Sequence, residues 1–406
     1  MDFPTLIIGG GISGITAAVE LAEAGKQVVL IEKKSYLGGN VSQFSNYFPK
    51  LCPPSCGLEI NFRRIRSNPR ITYYTGATLK SICGSQGDFT VNLELKPRLI
   101  SNLCTACGKC AEVCPEQRPE KLGRSPGEKA AYIHHGLAFP MKYTIDPDVC
   151  KGEVCGKCLE VCDYSAIQLD ASSAEVSIQA GKIIIATGWM LYDASRIENY
   201  RYQEEADVLT NQEFEHMLAA CTREHRELSR PSDGKVPGRI AFVQCAGSRD
   251  INHLPYCSAV CCSASLKHAL TLEAEYPELI SEIFYIDMRL SGRNEKLLTR
   301  AEEKERIRLT KGKVGRILPS ESGEGLVLEL EDIGRARKRQ ESFDLVVLAM
   351  GLVPAPHESG LELNAYGFCL PEQPSGMIPA ACCKRPMDVS SSVKDATAAA
   401  LKAMQK

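Results

Sequence analysis

Two hydrophobic rhythms divide this chain. Residues 3–8 (FPTLII) make a short, continuously apolar run, and residues 12–24 then line up Ile15, Ala18, Val19, Leu21 and Ala22 on one helical stripe. A second apolar run over residues 26–31 ends at Glu32. Strand, helix and strand in that order predict the opening unit of a parallel, dinucleotide-type sheet. Further on, Asp88–Leu95 (DFTVNLEL) and Ala174–Ala180 alternate with the period of two expected of half-buried strands, and the apolar run Lys182–Ile185 follows. The strand–helix–strand rhythm returns over residues 238–244, 262–272 and 281–288, and a last apolar strand at 344–349 precedes Gly351. The order predicts an α/β protein with two dinucleotide-binding-type domains.

Between the two alternating strands the rhythm stops and cysteine takes over. The spacing reads Cys104-x2-Cys107-x2-Cys110-x3-Cys114-Pro115, then Cys150-x4-Cys155-x2-Cys158-x3-Cys162. A four-iron cluster needs thiolates converging on its corners, and C-x2-C-x2-C supplies three from one tight loop. The fourth cysteine of such a run ligates the other cluster in two-cluster ferredoxins. The expected sets are therefore Cys104, Cys107, Cys110 and Cys162, and Cys150, Cys155, Cys158 and Cys114. Zinc ribbons, which prefer two separated C-x2-C pairs, and disulfides are the competing readings. Asp163 stands where a second Pro would be expected. The predicted arrangement is a compact ferredoxin-like insert of about seventy residues at a surface loop between two strands of one sheet. Within it, the Pro-, Gly- and Lys-rich stretch 117–143 reads as a linking loop.

At the first strand–helix junction lie Gly9-Gly10-Gly11-Ile12-Ser13-Gly14, with Glu32 at the end of the second strand. This is the G-x-G-x-x-G fingerprint in its proper setting. Gly9 permits the turn, Gly11 lets a pyrophosphate approach the backbone, and Gly14 lets helix and strand pack. Glu32 is the expected ribose acceptor. Leu37-Gly38-Gly39-Asn40 and Ala186-Thr187-Gly188 resemble the further signatures of two-dinucleotide-domain flavoproteins, the thioredoxin and disulfide reductases, although each alone also reads as ordinary turn glycines. The expected cofactor is FAD, held by Gly9, Gly11, Ile12, Ser13, Gly14, Glu32, Lys33, Gly38, Gly39, Asn40, Ala77, Thr78, Ala186, Thr187, Gly188, Gly351, Asp388 and Val389.

The second strand–loop–helix lacks that fingerprint. Its loop reads Cys245-Ala246-Gly247-Ser248-Arg249 and continues to Cys257-x3-Cys261-Cys262. One glycine stands where three are wanted, so a pyridine-nucleotide site is expected to be absent. Cys245, Cys257, Cys261 and Cys262 form a candidate third cluster site, with a redox disulfide and buried structural thiols as alternatives. Cys52 and Cys56 (C-x3-C with two prolines between) follow the flavin loop and are a candidate dithiol. Cys382 and Cys383 are adjacent and read as structural or weakly redox-active, and Cys83, Cys221 and Cys369 read as isolated structural thiols.

Bulk properties narrow the setting. The 406 residues exceed what one core fills, and the expected division is 1–100 (FAD domain), 101–172 (insert), 173–235 (FAD domain continued), 236–340 (second dinucleotide-type domain) and 341–406 (return to the FAD domain). At 24% charged residues and a net charge of −2, nothing favours nucleic acid or an anionic membrane surface. The first strand opens without a basic leader, and no apolar run reaches the roughly 18 residues of a membrane helix. Nineteen cysteines without a leader favour a reducing, cytoplasmic setting and metal ligation over disulfides.

VQCAGSRD with YCSAVCCSASLKHA, the inserted CTACGKCAEVCPE and CGKCLEVCDYSAIQLD, and PMDVSSSVKDATAAA near the end together resemble HdrA, the flavin-bearing component of heterodisulfide reductase. The length and the stretch KAAYIHHGLAFPMKYTIDP are most similar to QmoA, the corresponding component of the quinone-interacting membrane-bound oxidoreductase of sulfate reducers. The resemblance implies an FAD-containing electron-transfer subunit with three [4Fe-4S] clusters and no nicotinamide site. It implies ligation of a cluster by Cys245, Cys257, Cys261 and Cys262. Lys267 matches the lysine that the family places near the flavin ring nitrogen; a place on a solvated helix face is the alternative. The implied partners are a second flavoprotein subunit of the same kind, a quinone-reactive membrane subunit and a soluble sulfur-metabolism reductase, adenylylsulfate reductase. Membrane association would come only through them. An HdrA of heterodisulfide reductase, flavin-bifurcating or not, with other partners and an NAD(P)H-dependent flavin reductase are the alternative functions, and an assembly scaffold is the non-enzymatic one.

Overall fold

The computed structural model describes residues 3–119, 127–321, 323–356 and 360–405. The chain forms two compact units, residues 1–43, 54–189 and 354–406 in the first and residues 44–53 and 190–353 in the second. None of the four breaks falls at the expected boundaries of 173–235 or 341–406. Val208–Thr210 and Leu345–Met350 pair with each other and belong to the second unit's sheet. The return to the first unit therefore begins at residue 354.

The first unit is built on a five-stranded parallel sheet in the order Ile378–Pro379, Lys182–Ile185, Thr5–Ile8, Val28–Glu32 and Ile71–Thr75. Thr5–Ile8 and Lys182–Ile185 are almost wholly buried, as central parallel strands must be. The helix Ile12–Glu23 covers the sheet through Ile15, Ala18, Val19, Leu21 and Ala22. An antiparallel sheet of Ala77–Ser85, Asp88–Leu95 and Ala174–Ala180 lies in the same unit, with Phe89, Val91 and Leu93 fully buried. Asp88–Leu95 pairs with Ala174–Ala180 from Phe89↔Ala180 to Leu95↔Ala174, so residues 96–173 leave and return on neighbouring strands as an insertion requires.

Inside the insert the two cysteine halves repeat one motif. Gly108 and Gly156, both with positive φ, each precede a one-turn helix, Lys109–Glu112 and Lys157–Glu160. Ile100 bridges Ile167, and Lys109 pairs with Asp163 at 2.5 Å. The acid standing where Pro was expected thus ties the halves together. Residues 117–143 are more than a linking loop, for Ala131–Tyr132 pairs antiparallel with Thr144–Ile145. Part of that stretch, 120–126, lies outside the described residues.

The second unit carries a seven-stranded sheet in the order Val208–Thr210, Leu345–Met350, Arg239–Ala246, Ile280–Tyr285, Ile307–Pro319, Leu326–Asp332 and Arg337–Phe343. Its first five strands are parallel, and the last two return as an antiparallel meander. The helix Cys261–Glu275 is buried along most of its length. Thr210 and Glu213 form a reciprocal capping box that starts the helix Asn211–Glu224. Among the described residues no helix is long and apolar enough to cross a membrane.

The fingerprint depends on the absence of side chains. A Cβ on Gly14 would stand 1.8 Å from the Gly9 carbonyl oxygen. Gly57, inside the helix Ser55–Ser67, has open space in the same place. Gly14→Ala should therefore cost at least about 1–3 kcal/mol through overpacking, whereas Gly57→Ala should be neutral or slightly stabilising. Thermal unfolding followed by circular dichroism separates the two.

Candidate functional site

The first candidate site gathers where three glycine-bearing loops meet in the first unit. Gly11 and Gly38 form a parallel bridge, Gly38 N donates to Gly10 O at 2.8 Å, and a Cβ on Gly39 would stand 2.8 Å from Gly11 Cα. On the other side a Cβ on Gly9, at φ +110°, would meet the Ala186 carbonyl at 2.3 Å. The fingerprint, the 37–40 loop and the 186–188 loop thus touch backbone to backbone. Gly11 caps Ile12–Glu23 with no side-chain hydrogen bond and no acid follows in the first turn, so the amides around Ile12 and Ser13 suit an anionic group.

Glu32 is set by the same glycines. Gly10 N donates to one carboxylate oxygen at 2.7 Å and Lys34 N to the other at 2.8 Å. Burial pushes its carboxyl above the ordinary range, against these bonds. Each oxygen keeps a lone pair for a ribose hydroxyl. Thr78 Oγ1 is buried without a hydrogen-bond partner, as a residue awaiting a ligand would be. Ala77 is buried beside it, and Asn40 Nδ2 reaches Trp189 O at 3.4 Å. Lys33 is exposed; its neighbour Lys34, which no sequence motif marks, bonds Glu32 and reaches Asn40 Oδ1 at 3.5 Å. Asp388 caps Val389–Met404, accepting from Ser391 N at 2.7 Å. Gly351 lies in the second unit, where a Cβ would strike Ser248 Oγ at 2.4 Å, so its local role is to let that loop close. These contacts fit a dinucleotide at the junction of the first unit's loops.

The insert presents the second candidate site. Burial first, then Cys104 and Cys107, pushes the Cys110 thiol up to about 12. Burial, then Cys150, Cys114 and Cys155, raises Cys158. Cys114 therefore lies within electrostatic reach of Cys158 in the other half. Cys162 packs against the same small core, with Ala131, Ile145 and Ile167. Backbone amides already face sulfur, with Ala106 N at 3.4 Å from Cys104 Sγ, Gly152 N at 3.3 Å from Cys150 Sγ and Ala166 N at 3.3 Å from Cys162 Sγ. None of the cysteines is paired in a disulfide. Among the described residues no three Cys, His, Asp or Glu close tightly enough to hold a single metal ion. A four-iron cube is larger than one ion and asks for a wider ring of sulfurs.

The third cysteine group lies in the second unit, between the strand Arg239–Ala246 and the helix Cys261–Glu275. Burial, then Cys262, Cys245 and Cys257, raises the Cys261 thiol. Cys262 is raised by burial and by Cys245 and Cys257. The four predicted ligands thus sense one another. Ala259 N lies 3.4 Å from Cys257 Sγ, and Arg249, paired with Asp287, reaches Cys245 Sγ at 4.0 Å.

Lys267 is not on a solvated face. It is 3% exposed, pairs with Glu215, donates to Asn46 O at 3.2 Å and lies over the Phe44 ring. His268 Nε2 meets the same Glu215 oxygen at 2.5 Å, and Ser45 N and Oγ reach the other at 2.6 and 2.8 Å. Burial pushes Glu215 up, but Lys267 and His268 outweigh it and hold the carboxyl well below the ordinary range. Burial pushes Lys267 and His268 down. Glu215 and His268 carry no spacing signal, and only the packing brings them to light.

Of the remaining thiols, Cys383 donates to Ile185 O at 3.1 Å and Ala380 O at 3.0 Å, and Cys382 to Met387 O at 3.4 Å. Cys369 is not isolated, since it hydrogen-bonds the Cys383 thiol and, with burial, raises it. Cys83 and Cys56 are exposed, and Cys221 is buried.

Glu215→Ala leaves a buried ammonium unpaired, and the expected cost is about 3–5 kcal/mol. The apolar pair Glu215→Leu with Lys267→Met should unfold at a higher temperature than Glu215→Ala. Because the folded-state carboxyl is held low, its own contribution fades as pH falls below the ordinary carboxylate value of about 4.3. Thermal midpoints measured across pH check both statements.

Residues 7–71 match a model of the NAD(P)-binding Rossmann-like domain, and residues 103–166 match the 4Fe-4S dicluster domain. Solved thioredoxin reductases of T. acidophilum and Lactococcus lactis share the fold, with TM-scores of 0.53 and 0.52 at 15% and 14% identity; each alignment covers 99% of this chain and 97% of the other. The HdrA component of the H2:CoB–CoM heterodisulfide, ferredoxin reductase of Methanothermobacter thermautotrophicus is 34% identical over 99% of this chain and 64% of its own. The iron–sulfur HdrA component of the CoB–CoM heterodisulfide reductase of Methanocaldococcus jannaschii is 36% identical over 91% and 57%, respectively. The chain thus spans less than two thirds of these relatives. It has the α/β fold of the thioredoxin reductases with an inserted 4Fe-4S dicluster domain, and over nearly its whole length it is similar in sequence to the HdrA components of heterodisulfide reductases.

Proposed function

We propose that this chain is an FAD- and iron–sulfur-containing electron-transfer subunit of a multi-subunit redox complex. The observation that carries this reading is the pair of cysteine arrays, one in a dicluster module beside a dinucleotide loop and one where a second dinucleotide fingerprint would stand. FAD, when bound, exchanges electrons in pairs or singly, and a four-iron cluster exchanges them one at a time.

In this reading Cys104, Cys107, Cys110 and Cys162 hold one cluster, Cys150, Cys155, Cys158 and Cys114 a second, and Cys245, Cys257, Cys261 and Cys262 a third. The chain's own part is to hold and to tune. Amides of Ala106, Gly152, Ala166 and Ala259 are placed to donate to sulfur, which raises a cluster's potential by stabilising the extra negative charge of reduction. Gly9 to Gly14, Glu32, Gly38 to Asn40, Thr78 and Ala186 to Gly188 would hold FAD. Lys267 is proposed as the cation that serves the flavin in this family. Its support is chemical, since a buried ammonium with a lowered pKa yields its proton more readily than an exposed one.

The proposed partners follow the sequence resemblance, a second flavoprotein subunit and a quinone-reactive membrane subunit on one side and adenylylsulfate reductase on the other. A second reading, a component serving a heterodisulfide or ferredoxin, is favoured by the names of the relatives. Copurifying subunits separate the two.

Anaerobically purified and iron-reconstituted protein should carry bound flavin and show cubane EPR signals on reduction, and NADH should leave the flavin absorbance unchanged. Flavin bleaching by NADH or the absence of cubane signals would sink this reading. Cys114→Ser should remove the same EPR signal as Cys158→Ser and leave the one lost in Cys107→Ser.

A further inference from the structure

The stretch KAAYIHHGLAFPMKYTIDP has a task that the cluster chemistry does not use. Ala131 and Ile145 belong to the small core that also holds Cys104, Cys110 and Cys162. A few residues on, beyond the strand Ala131–Tyr132, the chain meets the loop that follows Glu32. His134 Nε2 lies 2.5 Å from Ser35 Oγ, and His135 Nε2 lies 3.2 Å from Ser42 Oγ. Leu37 N donates to Phe139 O at 2.7 Å. Tyr36 sits between the two imidazoles, with ring centroids 4.7 Å from each. Phe139 stacks on Phe62 at 4.8 Å.

The loop so gripped, residues 35–42, contains Gly38 and Gly39, which press on the fingerprint glycines. It follows directly on Glu32, whose carboxylate Lys34 N helps to hold. Ser42 also donates to Gly39 O at 2.9 Å, so His135 acts on that glycine through one hydroxyl. A second tie comes from Arg98, at the root of the insert, which donates to Ser35 O at 2.5 Å and to Thr75 Oγ1. The grip is thus made of side chains and backbone together, and all of it comes from the insert.

We propose that His134 and His135 are positioning residues for the FAD site, through which the cluster-bearing insert closes the 35–42 loop on the dinucleotide. This rests on the FAD reading above. Without the histidines Ser35 and Ser42 lose these contacts and the loop loosens, while the twelve cysteines and their backbone amides are untouched. The consequence is that flavin retention depends on the insert even though no insert residue need touch the flavin.

The test uses the full, reconstituted protein, with iron and acid-labile sulfide measured beside flavin. Titration of released FAD by its fluorescence gives the dissociation constant. His134→Ala and His135→Ala should each weaken FAD by about tenfold, which is 1.4 kcal/mol and the upper part of the range for one hydrogen bond, at unchanged iron. His135→Gln, which can still bond Ser42, should recover most of the affinity. Alanine variants that hold FAD as tightly as the parent would overturn the proposal, as would loss of iron and flavin together without recovery by glutamine. If the parent itself holds iron but no FAD, the FAD reading fails first and takes this inference with it.

Discussion

The pairing of Asp88–Leu95 with Ala174–Ala180 is the constraint on which the first unit depends. Seven residue pairs, from Phe89↔Ala180 to Leu95↔Ala174, keep both ends of residues 96–173 on adjacent strands. A module tethered at both ends has little freedom to drift, and this one is tethered a third time by the bond between Leu37 N and Phe139 O. The inner face of the same strand pair, through Phe89, Val91 and Leu93, belongs to the buried cluster that contains Leu6, Ile8, Ile183 and Ile185 of the parallel sheet. The insertion point is therefore part of the core that places the fingerprint glycines. Weakening that core would disturb the dinucleotide loop and the cysteine module at once.

What was legible in the sequence was local. Glycines at 9, 11 and 14 and cysteines at spacings of two and three are set by single turns of chain, so they read directly. The unit boundaries did not, because Leu345–Met350 is buried on both faces and an all-apolar strand carries no sign of which sheet it joins. Residues 117–143 read as a loop because Ala131–Tyr132 and Thr144–Ile145 are two-residue strands, too short for periodicity to register. Glu215 gave no signal either. It meets Lys267 and His268 only through the packing of two helices, Asn211–Glu224 and Cys261–Glu275, and nothing in either helix alone marks the pair.

That buried trio has its own logic. Two basic side chains share one carboxylate whose second oxygen is held by Ser45, so every strong acceptor site is used. Such a group adds little net stability over a well-packed apolar one, but it is costly to leave half made. Residues 44–53 thereby become fixed to the second unit through Ser45 and Asn46, although in sequence they follow directly on the first unit's loop.

The two dinucleotide-type folds of this chain differ most where their first strand meets their first helix. In the first unit Ile8 ends the strand and Ile12 begins the helix, with three glycines between. In the second, Ala246 ends the strand and the helix begins only at Cys261, after a long loop carrying Cys257. A pyrophosphate needs a short glycine turn to reach the first amides of the helix. Here that approach is occupied by Cys261 and Cys262, both buried, and by a loop whose Gly247 already lies against Tyr192 and Ile197. This junction thus carries cysteines and a long loop where the first unit has a short glycine turn. Four sulfurs within electrostatic reach of one another at a helix start, where the backbone dipole favours negative charge, fit an anionic cluster better than a pyridine nucleotide.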